Sequence, residues 1–438
     1  MNSADKTGRG RSDVITVLIA QCGMVVASLA VQSLLAWFLL PAGRGDYAVI
    51  AVVGTLAPSL LTIGIDRSIQ YQLMSGRIDL SSALGSLGLL LLVCAAVSTL
   101  LVALAVGVGY LPQLRGNPLA WASLCTLSLG SLAHSISIRL HVAVRAYRHY
   151  LLANLIQSLL SIGSLIVVLG LFGHGYDLAI SALAASYLVA TGVSLFWLTR
   201  RLVAPLSFVP RERLREVFAF GIRSYPTAIA HAIDFNAGVL VLAVIAFASD
   251  VGIYAALSAL MLRFLLLAQA MQEALLPRIA ADSTGRHELV VQMSRLAVAA
   301  TLLALGVFLP FSGWVVAMLL SPAFLAGIGI VWWMAPGIAA HAASTVLMPY
   351  FEGRGKPGVI SMATWVGMST NIAGLLVLYP AMGLSGAGLA MTAGLVSRLI
   401  VLQMYFRSEN GVSIRSLIVP VRADMDMAWS TIRGLVRR

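Results

Sequence analysis

Twelve predominantly apolar stretches recur along this chain, most of them close to or above the roughly 20 residues a helix needs to cross a hydrocarbon core about 30 Å thick. They lie at about 14–40, 47–65, 83–110, 119–140, 151–173, 178–199, 218–248, 251–276, 296–320, 326–351, 357–380 and 384–406. In lipid a backbone must satisfy its own polar groups, so stretches of this kind specify helices. A soluble domain carries about 25% charged residues, whereas this chain has 11%, with 59% hydrophobic. The reading is an all-α polytopic membrane protein with 12 transmembrane helices.

The net charge of +12 would point to nucleic acid in a soluble protein, but its placement here reports topology instead. Of the 29 Lys and Arg residues, 24 fall in the N-terminal tail, the even-numbered loops and the C-terminal tail. Only Arg44 and Arg115 fall in the alternate loops, and Arg223, Arg263 and Arg398 lie inside spans. Both termini are therefore expected in the cytoplasm, which an even number of spans also requires. The location expected is the cell inner membrane, with no nucleic-acid partner. Cys22, Cys94 and Cys125 all fall within spans, so they imply packing rather than a disulfide framework. The first apolar run is longer than a cleavable signal core and is expected to stay as a span.

Five segments follow: a cytoplasmic tail at 1–13, a six-helix lobe at 14–199, a basic linker at 200–217, a second six-helix lobe at 218–407, and a tail at 408–438. The linker carries Pro205, Pro210 and five arginines. Within the tail, Met425, Trp429, Ile432 and Val436 share one helical face, which suits an amphipathic helix on the inner leaflet. Gly45-x-Tyr47-Ala48 recurs as Gly252-x-Tyr254-Ala255 at an offset of 207 residues, and Leu171-Phe172 recurs as Leu378-Tyr379 at the same offset. Two matches at one offset favour a parallel six-plus-six repeat, a recurring transporter plan with its site near the midplane.

The chemistry concentrates between 218 and 276. Arg223, Thr227, His231 and Asp234 fall on one face of span 7. Counting 1.5 Å per residue from the turn at 248–252, Asp234 lies roughly 22 Å deep and Arg263 roughly 18 Å deep. Arg398 lies about 21 Å from the outer end of span 12 by the same measure. A charge at that depth costs about 2.5–3.5 kcal/mol on insertion scales, so it faces a partner or a cavity. One carboxylate serves two arginines, which leaves positive charge for an anionic headgroup, and arginine grips phosphate through a bidentate fork. Structural pairing of these charges is the competing account.

The candidate substrate-binding residues are Arg263, Arg398, Arg223 and, in span 4, His134, although a lone histidine is more often a packed, hydrogen-bonded core residue. Asp234, Glu273 and His231 are candidates for a coupling H⁺ or Na⁺ site. Asp66-Arg67, closing span 2, reads as a snorkelling arginine with an acidic neighbour. No cofactor is implied, and no His/Cys cluster has metal-ligand spacing. Gly383-x-x-Gly386-x-Gly388 has the wrong spacing for a dinucleotide loop and reads as a turn into a closely packed span. With outer loops of about four to ten residues and no P-loop, the chain is not expected to be an enzyme.

Several stretches taken together resemble the bacterial polysaccharide transporter (O-antigen flippase) family of the multidrug/oligosaccharidyl-lipid/polysaccharide exporter superfamily. They are Leu39-Leu40-Pro41-Ala42-Gly43-Arg44-Gly45-Asp46-Tyr47-Ala48, Ser249-Asp250-Val251-Gly252-Ile253-Tyr254-Ala255, Ala274-Leu275-Leu276-Pro277, and Gly353-Arg354-Gly355-Lys356-Pro357 leading through Asn371 to Leu378-Tyr379-Pro380 and Gly383. The resemblance runs from about 14 to 407. It implies twelve helices in two lobes forming a V, and movement of an undecaprenyl-pyrophosphate-linked oligosaccharide from the cytoplasmic to the periplasmic leaflet by alternating access, coupled to a cation gradient. It also implies the bilayer and other polysaccharide-assembly membrane proteins as partners. Span 1 departs from the expected charge lining, with no charge between Asp13 and Arg44. A cation-coupled drug antiporter of the same superfamily is the alternative, and a membrane polysaccharide polymerase or ligase a more distant one.

Overall fold

A computed structural model describes residues 3–173, 175–202, 204–281 and 286–419. Among them there are sixteen α-helices, with short 3₁₀ turns and no strand. The chain divides into two compact units, Met1–Ile229 and Ala230–Arg438.

The first unit contains α1 (Ser3–Leu61), α2 (Ile65–Met74), α3 (Leu80–Gly107), α4 (Pro118–Ala143), α5 (Tyr147–Phe172), α6 (Tyr176–Thr199) and most of α7 (Arg211–Asp234). The apolar runs 14–40 and 47–65 both lie in α1, which bends at Leu40 (φ 55°, ψ 179°). Leu40 precedes Pro41, and the proline ring keeps the residue before it out of the helical region. The helix resumes at once, so the Pro/Gly stretch through Arg44 is helical rather than an open turn. A second break, at Ile63 and Gly64, separates α1 from α2, and Gly64 takes the left-handed conformation at φ 73°.

Helix α7 packs onto that break. The Tyr225 hydroxyl donates to the Leu60 carbonyl, in the last turn of α1, at 2.6 Å. Phe220 stacks on Tyr71 with ring centroids 4.9 Å apart. The segment between α6 and α7 is docked on α3. The Val209 N–H donates to Ser86 Oγ at 2.8 Å, and Ser207 shares a 2.9 Å hydrogen bond with Ser82. Val209 and Val217 belong to one buried cluster with Ala83, Leu87, Cys94, Leu132, Ile136 and Leu198.

The second unit holds the end of α7, then α8 (Ala237–Ile245), α9 (Ala248–Met261), α10 (Leu266–Ala281), α11 (Arg286–Phe308), α12 (Ser312–Leu320), α13 (Gly329–Gly353), α14 (Pro357–Met382), α15 (Leu384–Asn410) and α16 (Ile414–Ile418). The run 218–248 is divided between α7 and α8. A seam of small residues brings α14 and α15 together. A Cβ built on Gly367 would lie 2.8 Å from the Gly394 carbonyl oxygen, one on Gly394 2.6 Å from that of Gly367, and one on Gly374 2.9 Å from the Ala390 Cβ. Helices in lipid associate through such small faces because hydrocarbon offers no hydrophobic drive between them. The turn between these helices is at Gly383, and a Cβ on Gly386 would meet the Leu378 carbonyl at 2.1 Å, in line with the close packing its glycine spacing suggests.

Ten helices among the described residues are long and apolar enough to cross a membrane, Gly23–Leu61 counting as one of them. The amphipathic helix expected over 423–438 lies outside the described residues, as do the side chains of Thr227, His231 and Glu273.

Candidate functional site

Asp234, at the last residue of α7, and Arg398, midway along α15, meet in the second unit. Arg398 Nη2 lies 2.5 Å from Asp234 Oδ2, with side chains only 2% and 9% exposed respectively. The glycine seam makes this possible, because the Cβ that Gly367 lacks would sit 3.1 Å from the Arg398 Cβ. Two residues expected in different roles, one for the headgroup and one for a cation, thus form a single buried ion pair. Such a pair repays its desolvation only with close geometry and further hydrogen bonds.

Asp234 borders a small cavity, together with Tyr254, Ser258 and Asn371 and with Phe235 and Leu262 among its apolar walls. It offers about 20 Å³ of water-sized space, slightly above the roughly 10–15 Å³ that one water requires. Every titratable or hydroxyl-bearing side chain in this wall presents oxygen. Asn371 Oδ1 is buried without a hydrogen-bond partner among the described residues. Gly238 lets Tyr254 close over α8, since a Cβ there would stand 2.2 Å from the phenol oxygen.

Arg263 is placed differently. A 3₁₀ turn at Leu262–Leu265 interrupts the span between α9 and α10 and carries Arg263, which is half-buried. Interruptions of this kind often mark functional positions in helices. Arg223 lies exposed on α7, in the first unit. His134, on α4, is buried with its ring edge-on to Tyr187 at 5.5 Å, and neither ring nitrogen has a hydrogen-bond partner among the described residues. His231 and Glu273 lie on α7 and α10, with side chains outside the described residues.

Other buried charges carry weaker sequence signals. Asp66 is buried and pairs with Arg139 of α4 at 3.4 Å while accepting from Thr62 at 3.0 Å, so it is tied across the unit rather than resting beside its neighbour. Arg44, which reads as a loop residue, is only 4% exposed: it donates to Gln32 at 2.5 Å across the bend in α1 and stacks over Tyr47 at 5.0 Å. His134 also has a counterpart. Gly130-x-x-Ala133-His134-x-x-Ser137 recurs as Gly337-x-x-Ala340-His341-x-x-Ser344, again offset by 207. His341, on α13, is likewise buried and lies edge-on to an aromatic ring, that of Phe235, at 5.6 Å.

Long apolar helices with charges held inside them define a multi-pass membrane protein. Comparison with solved structures sharpens the class. The lipid II flippase MurJ, in an inward closed conformation, matches with a TM-score of 0.74 at 13% identity, over 92% of this chain and 89% of that one. An inward-facing multidrug resistance MATE family transporter of the MOP superfamily matches at 0.64 and 16% identity, over 88% and 92%. The Vibrio cholerae MATE transporter VcmN in its bent form matches at 0.58 and 16% identity, over 91% and 97%. The chain shares the fold of these proteins. No family model matches it, and no curated protein sequence does either.

Proposed function

We propose that this protein moves an undecaprenyl-pyrophosphate-linked oligosaccharide from the cytoplasmic to the periplasmic leaflet of the inner membrane, in the assembly of a cell-surface polysaccharide. The observation that carries the reading is the placement of Arg263, half-buried on a 3₁₀ break inside a long apolar span. A guanidinium keeps its charge at any working pH and matches the geometry of a pyrophosphate. Fold likeness to a lipid II flippase supports a substrate of the same chemical kind. In this account twelve helices form two parallel six-helix lobes with cytoplasmic termini, and alternating access carries the headgroup across while the lipid tail stays in the bilayer. The energy source we propose is an H⁺ or Na⁺ gradient, for which the sequence offers His231 and Glu273, Asp234 being already paired with Arg398.

The likeness to multidrug transporters favours the second reading, a cation-coupled drug antiporter. Binding separates the two. Purified protein should bind a short-chain polyprenyl-pyrophosphate-linked sugar, competed by inorganic pyrophosphate and weakened by Arg263→Ala. Tight binding of a cationic dye with no binding of the pyrophosphate lipid would replace the flippase with the antiporter.

A further inference from the structure

The cavity beside Asp234 has the donor set of a monovalent metal cation site. Carboxylate, phenol, hydroxyl and amide oxygens line a space sized for one water or one small ion, and one of those oxygens, Asn371 Oδ1, is buried without a partner among the described residues. Hard cations take oxygen ligands, and a buried carboxylate ordinarily supplies the compensating charge. Here that charge is already balanced. Arg398 reaches Asp234 Oδ2 from α15 at 2.5 Å and is not part of the cavity wall, so the oxygen-lined space remains beside a neutral pair.

We infer that Arg398 is the resident cation of this pocket: it holds the charge position that a monovalent metal ion would otherwise occupy, so the protein takes no metal ion at Asp234. A free cation entering the cavity would meet a carboxylate neutralised by a guanidinium that cannot lose its proton. It would be repelled by that guanidinium in a low-dielectric setting where such repulsion is strong. The cavity suits a neutral water, which the phenol, the serine and the amide oxygen could hold. Coupling to a sodium gradient, if the transport reading holds, would then fall to groups other than Asp234. The inference itself concerns the second unit alone and does not depend on what is transported.

The test removes the guanidinium and asks whether a cation site appears. Purified full-length parent, Arg398→Gln and the double variant Asp234→Asn/Arg398→Gln are melted in detergent in sodium, lithium, potassium or choline chloride at one ionic strength. The parent and the double variant should melt at the same temperature in every salt. Arg398→Gln should be destabilised in choline and recover several degrees, saturably, in one of the metal salts, because a ligand that binds only the folded state stabilises it by mass action. A folded Arg398→Gln indifferent to all three metals overturns the inference. Should Arg398→Gln fail to fold in any salt, ²³Na relaxation on the parent and the double variant decides. Saturable sodium binding to the parent that the double variant lacks overturns it, and equal, non-saturable behaviour upholds it.

Discussion

Arg398 and Asp234 are 164 residues apart in the chain, yet their side chains meet at 2.5 Å in a place that neither lipid nor water reaches freely. Removing one partner of a buried pair strands the other charge, at a cost of about 3–5 kcal/mol, whereas replacing both with apolar groups is often near neutral. Asp234→Leu and Arg398→Met should each lower the melting temperature strongly, and the combined variant should regain most of the loss. Additive losses in the double variant would show that the two residues act independently.

The segment between α6 and α7 lies close against α3. A Cβ on Gly85 would come within 2.0 Å of the Ser207 carbonyl oxygen, so Gly85→Ala forces that segment away. The expected outcome is faster proteolysis between Ala204 and Pro210 than in the parent, with the helices still formed by circular dichroism. Unchanged cleavage would mean the contact is not kept in solution.

Asp79 caps the approach to α3 and accepts hydrogen bonds from Ser81 and Ser82, which hold its carboxyl below the usual carboxylate range. A depressed folded value means the stabilising contribution is present above the unfolded value, about 3.9, and disappears as pH falls through the folded one. The stability gap between parent and Asp79→Asn should therefore be full at pH 6 and close progressively below about pH 4. Melting curves from pH 6 to pH 3 measure it.

The distribution of basic residues predicts sidedness. Cysteine placed at Arg115 should react with an impermeant maleimide from the periplasmic side of intact cells. Cysteine at Arg415 should react only after permeabilisation. Both variants are made in a background lacking Cys22, Cys94 and Cys125, and the reverse pattern would invert the topology.

The all-helical membrane class is legible in the sequence because lipid imposes length and apolarity on each crossing segment separately. That Asp234, Arg263 and Arg398 fall inside long apolar stretches is legible too, since it follows from the order of residues. Their partners are not. The pairing of Asp234 with Arg398 depends on how closely α14 and α15 approach, which the facing glycines at 367 and 394 set only once the register is known. Arg44 reads as part of a Pro/Gly loop, yet Leu40 absorbs the whole bend and the helix resumes beneath the arginine. The recurrence of Gly-x-x-Ala-His-x-x-Ser at 130 and 337 is written in the sequence but lies in mid-span, away from the loops and span ends where the other repeats fall. It identifies His134 as one of two similarly placed histidines rather than a lone one.

Transport is the most direct test of the flippase reading. Proteoliposomes holding the parent, Arg263→Ala or Arg263→Lys would be loaded with a fluorescent undecaprenyl-pyrophosphate-linked sugar, and its appearance in the opposite leaflet followed by quenching. The parent should move the lipid at least tenfold faster than empty vesicles. Arg263→Ala should fall to the empty-vesicle rate with its fold intact, and Arg263→Lys should lie between, having a charge without the bidentate fork. Equal movement of the lipid by the parent and Arg263→Ala, or no movement by the parent while a cationic dye is exported, would contradict it.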